Sequence, residues 1–210
     1  EIEKDAFQYT TSLKDITFAA PATITKIGTF AFTGAALETL TLPSSLKSLE
    51  WSAFANCNKL QSVKIDNGTK LETLGREAFA NCNSLESFTF EGNSYAETIG
   101  SNAFKGDSKL SSFTFPAKVK TIEEAAFNAC EKLTSITFPT NAEITTIGKG
   151  AFQNALALTG IELPTSVTTI EESAFNSCQN LKEIKIPAQT NNISPQAFQF
   201  CGKLKSITVD

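Results

Sequence analysis

Histidine is absent from this 210-residue chain. With it go the usual general base of catalysis and the Ser-His and Cys-His pairs of nucleophilic catalysis. No Gly-rich phosphate loop and no dinucleotide fingerprint appears. Metal ligands clustered at short spacing are also missing, and five cysteines without a histidine make a poor zinc set. Basic residues do not dominate: 18 Lys and Arg stand against 22 Asp and Glu, a net charge of −4. Nucleic acid selects for a basic face, so this balance argues against it as a partner. No apolar run approaches the ~18 residues that a membrane span requires, so membrane insertion is not expected. An enzyme reading is rejected, and neither a catalytic residue, a cofactor nor a metal site is expected.

What the chain does have is repetition. Ala-Phe recurs at 6-7, 31-32, 53-54, 78-79, 103-104, 126-127, 151-152, 174-175 and 197-198, nine copies in all. An Ile or Leu stands five residues before each of these Phe residues, as in Ile27 to Phe32 and Ile193 to Phe198. A Leu follows six residues after, as in Phe54 to Leu60 and Phe175 to Leu181, with one shorter step at Phe32 to Leu37. That Leu opens a pattern Leu-x-x-Ile-x-Phe, for example Leu133/Ile136/Phe138. Further length variation falls at one point, the loop after this pattern, which is two residues longer after Phe18, Ile65, Phe90 and Phe138. Insertions confined to one place mark a solvated turn in an otherwise packed frame.

Local structure follows from the periods. Ser-Ile-Thr-Phe-Pro at 135–139 alternates apolar with polar residues and reads as a short strand stopped by proline. Val-Thr-Thr-Ile at 167–170 reads as a second extended piece. Ala174, Phe175, Cys178 and Leu181 then fall at i, i+1, i+4 and i+7, which predicts one face of a short helical turn. Glu123-Glu124 and Glu171-Glu172 sit just ahead of such turns, where acids favour a helix start. One such unit buries too few side chains to order itself, so units must stack into a solenoid.

These residues resemble the BspA-like class of leucine-rich repeats, whose units read L-x-x-I-x-I-P…V-x-x-I-G-x-x-A-F-x-x-C. The resemblance runs over the whole chain. It implies an α/β solenoid, mostly β: a right-handed leucine-rich-repeat superhelix of about nine 22–25-residue units, with a parallel strand ladder, short second strands and short helical turns. Residues 1–210 are expected to form a single such domain. The family consists of secreted or surface-displayed proteins of host-associated bacteria and some protists, linked to adhesion and matrix-protein binding. The resemblance therefore implies a secreted or cell-surface, adhesin-like domain whose partner is a protein or glycan, host extracellular matrix included.

Register assigns the remaining residues. Cys57, Cys82, Cys130, Cys178 and Cys201 lie three residues after the repeat Phe, where other units carry Asp107 or Ala155. One inward slot explains all five as structural thiols, and an odd count of parallel side chains argues against disulfides. Tyr9 and Phe200 share one position in the first and last units and are expected to help cover the core's ends. The outward strand positions form a ladder of Ser and Thr, such as Ser112/Thr114 and Ser135/Thr137. Thr suits strands and small hydroxyls pack flat, which accounts for most of that face. Gly160, Glu162, Glu183 and Lys185 break the ladder across two adjacent units, and Lys64 breaks it alone. The frame does not require these residues, so Lys64, Glu162, Glu183 and Lys185 are candidate ligand-binding positions. Trp51 and Leu156 occupy slots that are polar elsewhere and are candidates as apolar anchors. The rival expectation is a passive spacer presenting neighbouring domains. The Ser/Thr rows also resemble the Thr arrays of ice-binding solenoids, but those four charges interrupt them.

Overall fold

The computed structural model describes residues 1–92 and 94–209. Two kinds of strand alternate along the chain. The short ones are β1 (Lys26–Ile27), β3 (Ser48–Leu49), β5 (Thr73–Leu74), β7 (Thr98–Ile99), β9 (Thr121–Ile122), β11 (Thr146–Ile147), β13 (Thr169–Ile170) and β15 (Asn192–Ile193). They form one eight-stranded parallel sheet in chain order, extended by an Ile2–Ile27 bridge. The longer ones are β2 (Thr39–Leu42), β4 (Ser62–Ile65), β6 (Ser87–Phe90), β8 (Ser112–Thr114), β10 (Ser135–Thr137), β12 (Gly160–Glu162), β14 (Glu183–Ile186) and β16 (Ser206–Val209). Their parallel ladder is cut into three pieces: β2-β4-β6, β8-β10 and β12-β14-β16. Leucine-rich-repeat architecture is therefore present, with nine Ala-Phe turns and, among the described residues, eight face strands. The expected first face strand, at Ile16–Phe18, is not a strand, and Lys14 meets the next unit through one backbone bond, from the Glu38 N–H.

The expected helical turn is not a helix. Its inward residues are as predicted, with Ala174, Phe175, Cys178 and Leu181 all buried. The backbone differs because its hydrogen bonds alternate between two directions. The Ala53 N–H donates three residues back to Glu50, whereas the Phe54 N–H donates to Ala78 of the next coil. Positive φ recurs two residues before and two after every repeat Phe, as at Ser52 and Asn56, Asn102 and Gly106, or Ser173 and Ser177. A left-handed residue at the third position of a three-back turn reverses the chain, so the segment is a run of tight turns. Glu123 and Glu171 do not prepare a helix start either. Each accepts a backbone N–H of the preceding coil, from Ser101 at 2.8 Å and from Lys149 at 2.9 Å.

The repeat Phe residues stack along the axis. Successive ring centroids lie 5.0 Å apart for Phe7–Phe32 and 5.1 Å for Phe32–Phe54, with planes within 4°. Each such pair contributes about 0.5–1.5 kcal/mol beyond the burial of its area. The spacing is widest, 5.9 Å, between Phe79 and Phe104. Phe88 stands edge-on to both rings, at 5.2 and 4.9 Å, at the position that β4 fills with Val63 and β8 with Phe113. The widest ring spacing coincides with the first cut in the ladder, between β6 and β8; Phe113, edge-on to Phe104 and Phe127 in the same way, leaves β8 paired with β10. The short-strand sheet continues unbroken past the same point.

All five cysteines are free thiols, four buried and Cys201 half-buried. Each S–H points at the carbonyl of the preceding coil's Phe at 3.2 Å, for instance Cys57 to Phe32 and Cys178 to Phe152. The slot takes a small side chain, and where that side chain is a thiol it donates to that carbonyl. Tyr9 and Phe200 do not cover the ends of the core: both rings are mostly in solvent, and Tyr9 lies close against Gly34.

Candidate functional site on the strand face

Alternation within a parallel ladder decides which side chains share a surface. In β12 and β14 the central Ile161 and Ile184 face the core and their flanking residues face outward, while β16 at the end of the stack is exposed throughout. Registers place Gly160 beside Glu183 and Ser206, and Glu162 beside Lys185 and Thr208. Three sequence candidates, Glu162, Glu183 and Lys185, thereby meet on one patch, lining a shallow cavity of about 550 Å³. Gly160 offers no side chain, which leaves room beside Glu183. Among the described residues neither Glu162 nor Glu183 forms an ion pair.

The other three candidates lie elsewhere. Lys64 sits in β4, in a different piece of the ladder, paired with Glu91 at 3.6 Å. Trp51 is 44% exposed in the turn before Phe54, and its Nε1–H donates to Glu77 at 3.1 Å. Arg76 lies over the indole at 5.4 Å and Phe30 packs beside it at 4.9 Å. Burial pushes the Glu77 carboxyl up, but hydrogen bonds from Trp51, Arg76 and Ser52 outweigh it and hold the group below its ordinary range. Trp51 therefore serves as part of a local clasp between coils. Leu156 is half-buried, and its carbonyl accepts from Asn180 at 2.7 Å.

A second, larger cavity of about 850 Å³ lies over the cut between β6 and β8, and no sequence candidate falls in it. Its signals were present as loop lengths and as Phe at inward strand positions, but only their superposition across coils makes a cavity. Among the described residues no group of His, Cys, Asp and Glu is arranged to hold a metal ion. No helix long and apolar enough to cross a membrane is found among them.

Comparison with known proteins agrees with this architecture. The chain has 25% identity to a leucine-rich repeat protein of T. pallidum, over 80% of this chain and 78% of that one, with a TM-score of 0.69. A leucine-rich repeat protein of Bacteroides ovatus shares 22% identity over 98% of this chain and 69% of its own, with a TM-score of 0.49. A leucine-rich cell surface protein of Faecalibacterium prausnitzii shares 22% over 100% and 76%, with a TM-score of 0.43. No curated protein sequence matches the chain. The model of the BspA type leucine rich repeat region matches residues 1–106 and 97–210, in six copies. With nine Ala-Phe turns, parallel ladders and that match over its whole length, the chain belongs to the BspA-type leucine-rich repeat family.

Proposed function

We propose that this chain is a non-enzymatic, adhesin-like repeat domain of a secreted or cell-surface protein, binding a protein or glycan through its strand face. Cell-surface assignment draws on the family. The observation that carries the binding site is the meeting of Glu162, Glu183 and Lys185 on adjacent strands of a face lined elsewhere, Gly160 and Lys64 apart, by Ser and Thr. Exposed charges in register supply direction and sign to an encounter, which hydroxyl rows do not.

The test is a binding screen of the domain against extracellular-matrix proteins and host glycans. A parallel variant carries Glu162→Thr, Glu183→Ser and Lys185→Thr, which restores the plain ladder. A ligand held by the native domain and lost by the variant is the expected result. A ligand held equally by both refutes the patch, and no ligand at all favours the passive spacer.

A further inference from the structure

The cavity over the β6–β8 cut has a construction unlike the rest of the array. The loops after β6 and β10 are each two residues longer than the loop after β8 that lies between them. The cavity lies between these longer loops, whose described residues form its two walls, and Phe90 and Phe115 are among the residues lining it. Along one side run the exposed hydroxyls of Ser87, Thr89, Ser112 and Thr114. On one wall the Tyr95 ring is 59% exposed. The rim carries four charges, and they cancel in pairs between coils: Lys118 meets Glu143 at 2.6 Å, and Lys120 meets Glu97 at 2.8 Å.

We propose that this trough binds an uncharged oligosaccharide. Sugar rings present an apolar C–H face, which stacks on an aromatic ring, and an edge of hydroxyls, which both donate and accept. Tyr95 and Phe90 supply the first surface; the Ser/Thr rows and the two ion pairs supply partners for the second. Charge cancellation across the rim gives an anionic ligand no net attraction, which sets aside nucleic acid and sulfated glycans. A peptide cannot add as a strand at the cut, because Phe88 and Phe113 are only 5.8 Å apart and a further strand needs nearly twice the ordinary spacing. A wholly apolar ligand would strand the rim charges away from water. The volume lies within the range of small-molecule sites and suits a few sugar residues. This site is separate from the β12–β14 patch and stands or falls independently of it.

The experiment is an array of neutral oligosaccharides with heparin as the anionic control, followed by calorimetric titration of the strongest neutral hit. Expected is a neutral hit whose affinity is unchanged between about 50 and about 500 mM NaCl. Tyr95→Ala should weaken it by roughly tenfold or more, and Tyr95→Phe, which keeps the ring, should stay within about twofold. Both variants should melt with the native domain, since the ring is exposed. The triple variant at Glu162, Glu183 and Lys185 should bind the sugar as the native domain does. The proposal is overturned by the absence of any neutral hit, by retention of heparin alone, by full affinity in Tyr95→Ala, or by loss in the triple variant.

Discussion

Asp107 is the one carboxylate in the column of slots otherwise filled by Thr10, Cys or Ala, and it is fully buried. Its Oδ1 accepts the Cys82 backbone N–H at 2.8 Å, while Oδ2 has no partner. Thiols in this slot donate to a carbonyl of the preceding coil, so a protonated Oδ2 suits the site and an ionised one does not. Burial accordingly raises the Asp107 pKa well above its ordinary value, and the Cys82 N–H offsets this only in part. The sign follows. Above a pH of about 4 the unfolded chain has released this proton and the folded chain still holds it. Stability then falls by about 1.4 kcal/mol for each pH unit, until the folded pKa is reached. Asp107→Asn keeps the shape and the Oδ1 acceptor but cannot ionise. Melting both proteins from about pH 4 to about pH 8 should show the variant gaining on the native chain, by roughly 3–6 °C per pH unit for a chain of this length. Parallel curves across that range would refute the assignment of a neutral buried acid.

Other consequences are open to simple measurement. Ala129 holds φ at 59° in a slot that Gly34 and Gly106 fill in other coils. Ala129→Gly should therefore raise stability by about 1 kcal/mol, seen as a higher melting temperature, because glycine carries no left-handed penalty. Phe127 is fully buried between the rings of Phe104 and Phe152. Phe127→Ala should cost about 3–5 kcal/mol in denaturant titration. Burial pushes the Cys178 thiol up to about 12 and raises Cys201 less. A thiol reagent should thus label Cys201 first in the native domain, and reach Cys57, Cys82, Cys130 and Cys178 only on unfolding.

The solenoid itself was legible because Ala-Phe and its flanking Leu and Ile residues recur at fixed spacing, and a repeat that cannot stand alone must stack. The helical turn was misread for a physical reason. Inward positions at i, i+1, i+4 and i+7 arise from a helix and equally from tight turns with two left-handed residues. Asn56, Asn81, Asn102 and Asn154, with Gly34, Gly106 and Gly150, hold those left-handed positions and were the clue, since Asn and Gly tolerate them best. The cysteines read as small core residues; that their S–H groups answer a carbonyl of the previous coil could not be seen without the backbone. Glu162, Glu183 and Lys185 could be placed together because strand alternation and repeat register are both regular. Lys64, Trp51 and Leu156 were grouped with them only as departures from the pattern, and the pattern carries no information about distance between coils. The trough escaped notice because it lies where the face ladder is cut between β6 and β8, which only superposed coils reveal.

The hydrogen bonds that join coils reach only the adjacent coil, and they lie along the stacking direction. Tension between the two ends of the stack therefore loads these ties in series and concentrates on whichever terminal coil is least held. Coils would peel off one by one, each releasing 22–25 residues, or roughly 80 Å of extended chain. A folded array of this kind is a tether with stored length, able to lengthen in steps under load while its remaining coils keep their shape.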